Sequence, residues 1–352
     1  MRELIIDGRV INDDEPCYVI AELGHNHGGD VETAKEMIRV AAQCGASAVK
    51  LQKRDNATLY TRALLEAPYD NENSFGKTYG EHRAALEFGR EEFKACQSVA
   101  QARNVTLFST AFDERSADFL MELGVPAIKI ASGDLTNTPL LKHVSTFDVP
   151  VVVSTGGGLE NDIDRAMTCL HGASVAILHC TASYPVRDFS ELNLRCILAL
   201  RHRYPDFVIG WSGHDTGIAM ALVAYACGAR MLEKHVTLNR ASKGTDHAFS
   251  LEPAGLRRLV RDMERARVAM GDGVKARYAS EVGPLYKMAK SLVAAHALPA
   301  GRTLQPGDLV AKSPAGGLQP YLLDALMGFP LSKDMIADEA LTHAHVKGEI
   351  AS

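Results

Sequence analysis

Short apolar runs recur along the chain, and between them lie longer stretches in which apolar residues return every three or four positions. Eight runs, at 17–22, 48–52, 105–110, 127–131, 151–154, 175–181, 208–212 and 231–235, are rich in Val, Ile, Leu and Ala. Their length and composition predict strands that are apolar on both faces. The segments 31–44, 90–103, 114–123, 161–170 and 217–228 carry the helical period instead. Doubly buried strands alternating with helices imply a parallel sheet covered by helices. Eight such units closing on themselves form a (β/α)8 TIM barrel; a doubly wound open sheet is the alternative that counting leaves open.

The pattern breaks twice. The long interval between the second and third runs holds APYDNENSFGKTYGEHR. It is polar and glycine-containing, and it reads as an extended loop over one end of the barrel, the usual place for a lid. After Met270 the pattern changes, with a breaker at Gly271-Asp272-Gly273, and from Lys290 the chain shows short strands, Pro-containing turns and no long helix. The expected organisation is a barrel over 1–270, a linker over 271–289 and a small β-rich domain over 290–352.

Composition narrows the classes. Of 352 residues, 46% are apolar and 23% charged, which fits a soluble globular protein and excludes long disorder. A net charge of −5 argues against a nucleic-acid-coating surface while leaving room for a small anion in a local basic pocket. The seven cysteines, at 17, 44, 96, 169, 180, 196 and 227, form no CxxC pair and read as buried thiols of a reducing compartment. The opening MRELIIDGRV has acids and no apolar core, so it does not read as a secretory signal; the Ala- and Gly-rich uncharged run 216–229 is too short for a bilayer. A cytoplasmic protein is expected, with neither a nucleic-acid nor a membrane partner.

Catalytic groups of a (β/α)8 barrel sit at the C-terminal ends of the strands. Here the runs end in Glu22; Lys50 and Gln52; Ser109 and Thr110; Lys129 and Ser132; Ser154; His179 and Thr181; Ser212 and His214; Glu233 and His235. Residues two apart on a strand share a face, so Lys50 and Gln52 point together, as do Glu233 and His235. One polar strand end is more often a solvated terminus than a site; the weight lies in the set. A Lys in an apolar strand is costly unless paired, and Lys50 and Lys129 at matching positions suggest a shared anion. With neighbouring hydroxyls they fit a phosphate-bearing ligand. His214 and His235, on adjacent strands, can hold a divalent metal with open positions left over. The alternative is one core histidine and one general base. Gly156-Gly157-Gly158 can present N–H groups to an anion but lacks phosphate-loop spacing. His25-Asn26-His27 reads as a turn with ligand contacts, and its likeness to a nuclease label carries no weight in an acidic chain.

The segments IAELGHNHGGD, KLQK, FSTAFD, IKIASGD, VSTGG, HCTASYP, GWSGHDTG, EKHVTL and GTDHAFSLEP, in this order, resemble the sialic acid synthase family. That family comprises N-acetylneuraminate synthases and their 9-phosphate, legionaminate and pseudaminate relatives. KSLVA and GDLVAKSPAGG resemble its antifreeze-like (SAF) domain. The resemblance implies a TIM barrel followed by a SAF domain, in a homodimer whose tails close the partners' active sites. It implies condensation of phosphoenolpyruvate (PEP) with N-acetylmannosamine or its 6-phosphate, giving N-acetylneuraminate or its 9-phosphate plus phosphate. The metal it implies is Mn²⁺, with Mg²⁺ or Co²⁺ as alternatives. Carried over to this chain, His214 and His235 would be the metal ligands. Lys50, Gln52, Thr110, Lys129, Ser132, Ser154, Tyr184 and Ser212 would surround PEP. Asp134, Glu233 and Asp246 would meet the sugar or support the metal, and Glu22 would act on the attacking water or a sugar hydroxyl.

The chain departs from the family pattern at Asp134, where many bacterial members have Glu, and at Ala182, where some have Asn. It departs again at Ser313, where those members carry an Arg that reaches the sugar's N-acetyl group. The insert and SGHDTG look closer to the vertebrate-type branch, which uses a phosphorylated sugar. Lys77, His82 and Arg83 then become candidates for the substrate phosphate, against a purely structural lid. Competing readings are a synthase for another nonulosonate (KDN, legionaminate or pseudaminate), a different metal-dependent barrel lyase or hydrolase, and a non-catalytic carbohydrate-binding barrel.

Overall fold

The computed structural model describes residues 2–346. The chain divides between Gly271 and Asp272 into two compact units.

The first unit opens with a hairpin of β1 (Leu4–Ile6) and β2 (Arg9–Ile11). Its turn is Asp7-Gly8, both with positive φ (52° and 74°), the backbone that a two-residue hairpin of matching twist requires. Eight strands follow: β3 (Tyr18–Glu22), β4 (Ala48–Lys53), β5 (Thr106–Ala111), β6 (Ile128–Ile130), β7 (Val151–Ser154), β8 (Val175–Cys180), β9 (Val208–Gly213) and β10 (Met231–His235). Each pairs in parallel with the next, and β10 pairs with β3, so the sheet closes and the open-sheet alternative falls away. Outer helices follow the strands, among them Thr138–Val144, Arg195–Arg203 and Pro253–Met270, which the periodicity did not single out.

Strand parity sorts the side chains. Ile20, Ala48, Phe108, Val152, Leu178 and Met231 fill the barrel interior, joined by Leu4, Ile6 and Ile11 of the hairpin. The alternate set, including Val19, Leu51, Val153, Ile177 and Leu232, packs under the helices. Near the C-terminal rim the inward set turns polar. The register places Glu22 beside both Lys50 and His235, and Thr110 beside both Gln52 and Lys129.

The insert APYDNENSFGKTYGEHR is a loop over 67–78, as expected, but it is preceded by helices Asn56–Leu59 and Arg62–Glu66 and ends in helix Tyr79–Leu86. The last starts at a reciprocal cap: the Thr78 hydroxyl accepts the Glu81 N–H, and the Glu81 carboxylate accepts the Thr78 N–H.

In the second unit, helix Val282–Met288 lies in the stretch expected as a linker. β11 (Ser291–Ala294) and β12 (Leu309–Lys312) pair antiparallel over a core that includes Leu292, Leu304, Leu326 and Leu341. The Ser313 hydroxyl accepts from Lys290 Nζ at 2.6 Å and donates to the Met288 carbonyl. Among the described residues no helix is long and apolar enough to cross a membrane, and all seven cysteines are free.

Candidate active site

The polar rim of the barrel encloses a cavity of about 360 Å³. Its floor is a chain of buried charges. Lys50 Nζ lies 2.5 Å from Glu22 Oε2 and 3.8 Å from Glu233 Oε2, and donates to Thr110 Oγ1 at 2.7 Å. Gln52 Nε2 donates to the other Glu22 oxygen at 2.7 Å. Lys129 Nζ donates to Ser154 Oγ at 2.6 Å and to the Ile130 carbonyl at 3.1 Å. The Ser212 hydroxyl donates to Glu233 Oε1 at 3.0 Å. Buried charges persist only with such partners. Burial pushes the Glu233 carboxyl up, but Lys129 and Lys50 outweigh it and hold the group well below its usual range. Burial, with Lys50 behind it, lowers the Lys129 ammonium.

The two imidazoles stand at one side of this cavity, ring centroids 5.3 Å apart. His214 Nδ1 is 3.0 Å from the Thr181 carbonyl. A carbonyl can only accept, so that nitrogen carries the proton and Nε2 keeps its lone pair. Burial, then the neighbouring His235, pushes His214 down to about 3, so it is neutral at pH 7, as a metal ligand must be. His235 Nδ1 is buried without a hydrogen-bond partner, 3.5 Å from Asp246 Oδ2. Among the described residues no group of three or more His, Cys, Asp or Glu side chains is arranged to hold a metal. The residues that could hold a divalent ion here are the two imidazoles, which face the same cavity.

Glu22, Lys50, Gln52, Thr110, Lys129, Ser132, Ser154, Tyr184, Ser212, His214, Glu233, His235, Asp246 and Arg83 all line this one cavity. Three of the residues anticipated around the sugar do not, nor do the strand-end residues Ser109, His179 and Thr181. Asp134 is buried, and its carboxylate accepts from Asn137 Nδ2 at 3.0 Å in the turn after β6. Lys77 is exposed. His82 is buried against Tyr69 and accepts the Phe75 N–H at 3.1 Å, facing a small pocket of about 60 Å³ that adjoins the main cavity across His25, Arg83, Thr245 and Asp246. His179 shares the helix-facing parity of Ile177 and bonds the Leu192 carbonyl at 2.7 Å. The glycine loop offers no free N–H at Gly156, which donates to Ser132 Oγ at 3.1 Å; a Cβ there would come 2.7 Å from that oxygen.

The cavity also holds residues that the sequence reading missed or left unassigned. Arg54 is buried, donates to Gln52 Oε1 at 2.7 Å, contacts His25 Nε2 at 2.9 Å and stacks 3.7 Å over the Phe112 ring. Arg83 lies 3.4 Å from His25 Nδ1 and donates to the Tyr79 hydroxyl. Burial, then these two guanidiniums, keeps His25 neutral. A neutral imidazole has one lone pair, so it can accept from only one of them. Glu87 sits 3.6 Å from Arg54, whereas Arg83 forms no ion pair among the described residues. The signal for Arg54 was present: Lys50, Gln52 and Arg54 are spaced two apart.

Six histidines, His25, His27, His82, His179, His214 and His247, are pushed below their usual value, burial being the first cause in each. Below about pH 6.5 the unfolded chain takes up protons that these folded sites refuse. Stability is therefore fully present above that pH and is lost as pH falls. The metal-free protein should show a clearly lower Tm at pH 5 than at pH 7.5 by scanning calorimetry; equal values would contradict the burial argument.

Residues 37–275 match the NeuB family and residues 289–347 match the SAF domain. The N-acetylneuraminate-9-phosphate synthase of Mus musculus is 39% identical over 307 residues, spanning 87% of this chain and 85% of that protein. The N,N'-diacetyllegionaminic acid synthase of Legionella pneumophila is 31% identical over 339 residues, spanning 94% and 95%. The crystal structure of the N-acetylneuraminic acid synthetase of Leptospira borgpetersenii, in complex with citrate, superposes with a TM-score of 0.71 at 33% identity, covering 80% of this chain and 95% of that one. A truncated 3-deoxy-D-arabino-heptulosonate 7-phosphate synthase of Thermotoga maritima shares the fold, with a TM-score of 0.58 at 15% identity over 76% of this chain and 93% of that one. The chain belongs to the NeuB family, with a SAF domain following its barrel.

Proposed function

We propose that this chain condenses PEP with an acylaminosugar aldehyde of the N-acetylmannosamine type, releasing phosphate and a nine-carbon 2-keto acid. The observation that carries the reading is the convergence of Lys50 and Lys129 with His214 and His235 in one cavity.

Charge supports it. Lys50 and Lys129 are balanced by Glu22 and Glu233. PEP brings a carboxylate and a phosphate of about −1.5 to −2. Arg54 and Arg83 offset part of that charge, and a divalent ion held by His214 and His235 would offset more. When bound, the ion supplies Lewis-acid polarisation of the sugar carbonyl. The protein's groups do the rest. Lys50, Lys129 and the hydroxyls of Thr110, Ser132, Ser154 and Ser212 hold the anionic donor by charge-assisted hydrogen bonds. They fix its methylene carbon toward the aldehyde, so that attack begins from an oriented pair. Carbon–carbon bond formation leaves positive charge at C2 of PEP. Water adds there, and Glu22, aimed by the Gln52 amide, takes one proton and passes it to the alkoxide formed from the aldehyde, while the second proton of the water leaves with the phosphate. The tetrahedral adduct then breaks its C2–O bond, and phosphate departs with the bridging oxygen.

The spare donors of Arg83 support a 6-phosphorylated acceptor. Arg83→Met should lower kcat/KM for the 6-phosphate about tenfold, the scale of one charge-assisted hydrogen bond, while leaving the free sugar's value nearly unchanged. Equal losses for both sugars would remove Arg83 from phosphate recognition. We extend the reading to a homodimer in which the SAF domain reaches the partner's site. The Ser313 hydroxyl, held by Lys290 and Met288, supplies no guanidinium there. Phosphate release tests the function: it should require PEP, sugar and Mn²⁺ together. Turnover of sugar without PEP would replace this reading with a lyase or hydrolase.

A further inference from the structure

One buried pair lies just behind the imidazoles, and the proposed chemistry does not use it. Lys234 and Asp215 are both 1% exposed, with Nζ 2.8 Å from Asp215 Oδ1 and 2.6 Å from the Asp215 backbone carbonyl. Lys234 sits between Glu233 and His235 but shares the helix-facing parity of Leu232. Asp215 follows His214, past the end of β9. The register of β9 with β10 ends at Gly213 and Lys234, one residue short of each imidazole. From there Lys234 reaches across and holds Asp215 by side chain and main chain at once. The space around this bond is shaped for it. The fully buried Trp211 ring lies 5.5 Å from Lys234 Nζ, and a Cβ on Gly213 would come 2.2 Å from that ring.

A buried ion pair is weak evidence for stability, because desolvation of both charges can exceed their attraction. Its placement says more. We propose that Lys234–Asp215 is a brace that fixes the spacing and aim of His214 and His235 toward a divalent cation. Both are positioning residues, and the inference rests on the metal-dependent reading above.

The test replaces the pair as a unit with apolar side chains, Lys234→Met with Asp215→Leu, and reads Mn²⁺ binding by electron paramagnetic resonance alongside the Tm of the metal-free protein. The double variant should keep or raise the Tm, whereas Lys234→Met alone leaves Asp215 buried and unpaired and should lower it. Mn²⁺ should bind the double variant about 10–100-fold more weakly, the usual effect of losing support behind a metal ligand. Its KM for PEP should stay close to the wild-type value, and kcat should recover as Mn²⁺ is raised. Wild-type Mn²⁺ affinity in a folded double variant would overturn the brace while leaving the metal reading standing. Failure of the wild-type protein to bind Mn²⁺ would overturn both. If the double variant does not fold, Asp215→Asn keeps the shape and the backbone contact. It should weaken Mn²⁺ about tenfold, and an unchanged affinity would again overturn the brace.

Discussion

Replacing Glu22 by Gln should lower kcat about 10²–10⁴-fold, the range typical of an acid–base group, while changing the affinity for PEP far less. Glu22 is 1% exposed, with one oxygen on Gln52 and the other against Lys50. The substitution keeps the shape and the capacity to accept from Gln52, but the amide cannot take a proton from water. Lys50 keeps Thr110 and Glu233 as partners, so it stays held where it can meet the donor. Steady-state kinetics at saturating PEP and sugar would separate the two effects. A variant with near-wild-type kcat would take Glu22 out of the chemistry. A loss confined to KM would make it a binding residue.

Lys129→Met should act on the other parameter. Lys129 is 3% exposed and holds Ser154. Losing charge-assisted hydrogen bonds worth roughly 1.5–3 kcal/mol should raise the KM for PEP about 10–150-fold. Methionine has a similar length and tolerates burial, so the fold should survive. Glu233 would then keep the Ser212 hydroxyl and one ammonium, Lys50, and its carboxyl would rise toward its ordinary range. Mn²⁺ affinity should be little affected. An unchanged KM for PEP would place the donor elsewhere in the cavity.

The barrel was legible because each strand run is apolar on both faces, a pattern that only a sheet covered on both sides sustains. The site was legible where parity was respected. Lys50 with Gln52, and Glu233 with His235, point together as their spacing requires. His179 and Ser109 were grouped with the rim because they end their runs, yet they share faces with Ile177 and Leu107, which pack under the helices. Asp134 lies three residues before Asn137 and closes a local turn with it, a contact that competes with any ligand. The insert hid its structure because Gly80 interrupts the helix period, although the Thr78-x-x-Glu81 cap was present. The Asp7-Gly8 hairpin was equally readable, but its strands are three residues each and sit outside the eightfold repeat. The cluster of His25, Arg54 and Arg83 was not readable as a cluster. It joins a strand end, a turn and an inserted helix, and no spacing rule links residues 58 positions apart.

The most direct measurement uses PEP labelled with ¹⁸O at its bridging oxygen, with the acceptor sugar and Mn²⁺, followed by mass spectrometry of both products. The account predicts that the label leaves entirely with phosphate and that a nine-carbon acid forms in equal amount. Label retained in the organic product, or pyruvate formed without a sugar adduct, would contradict it.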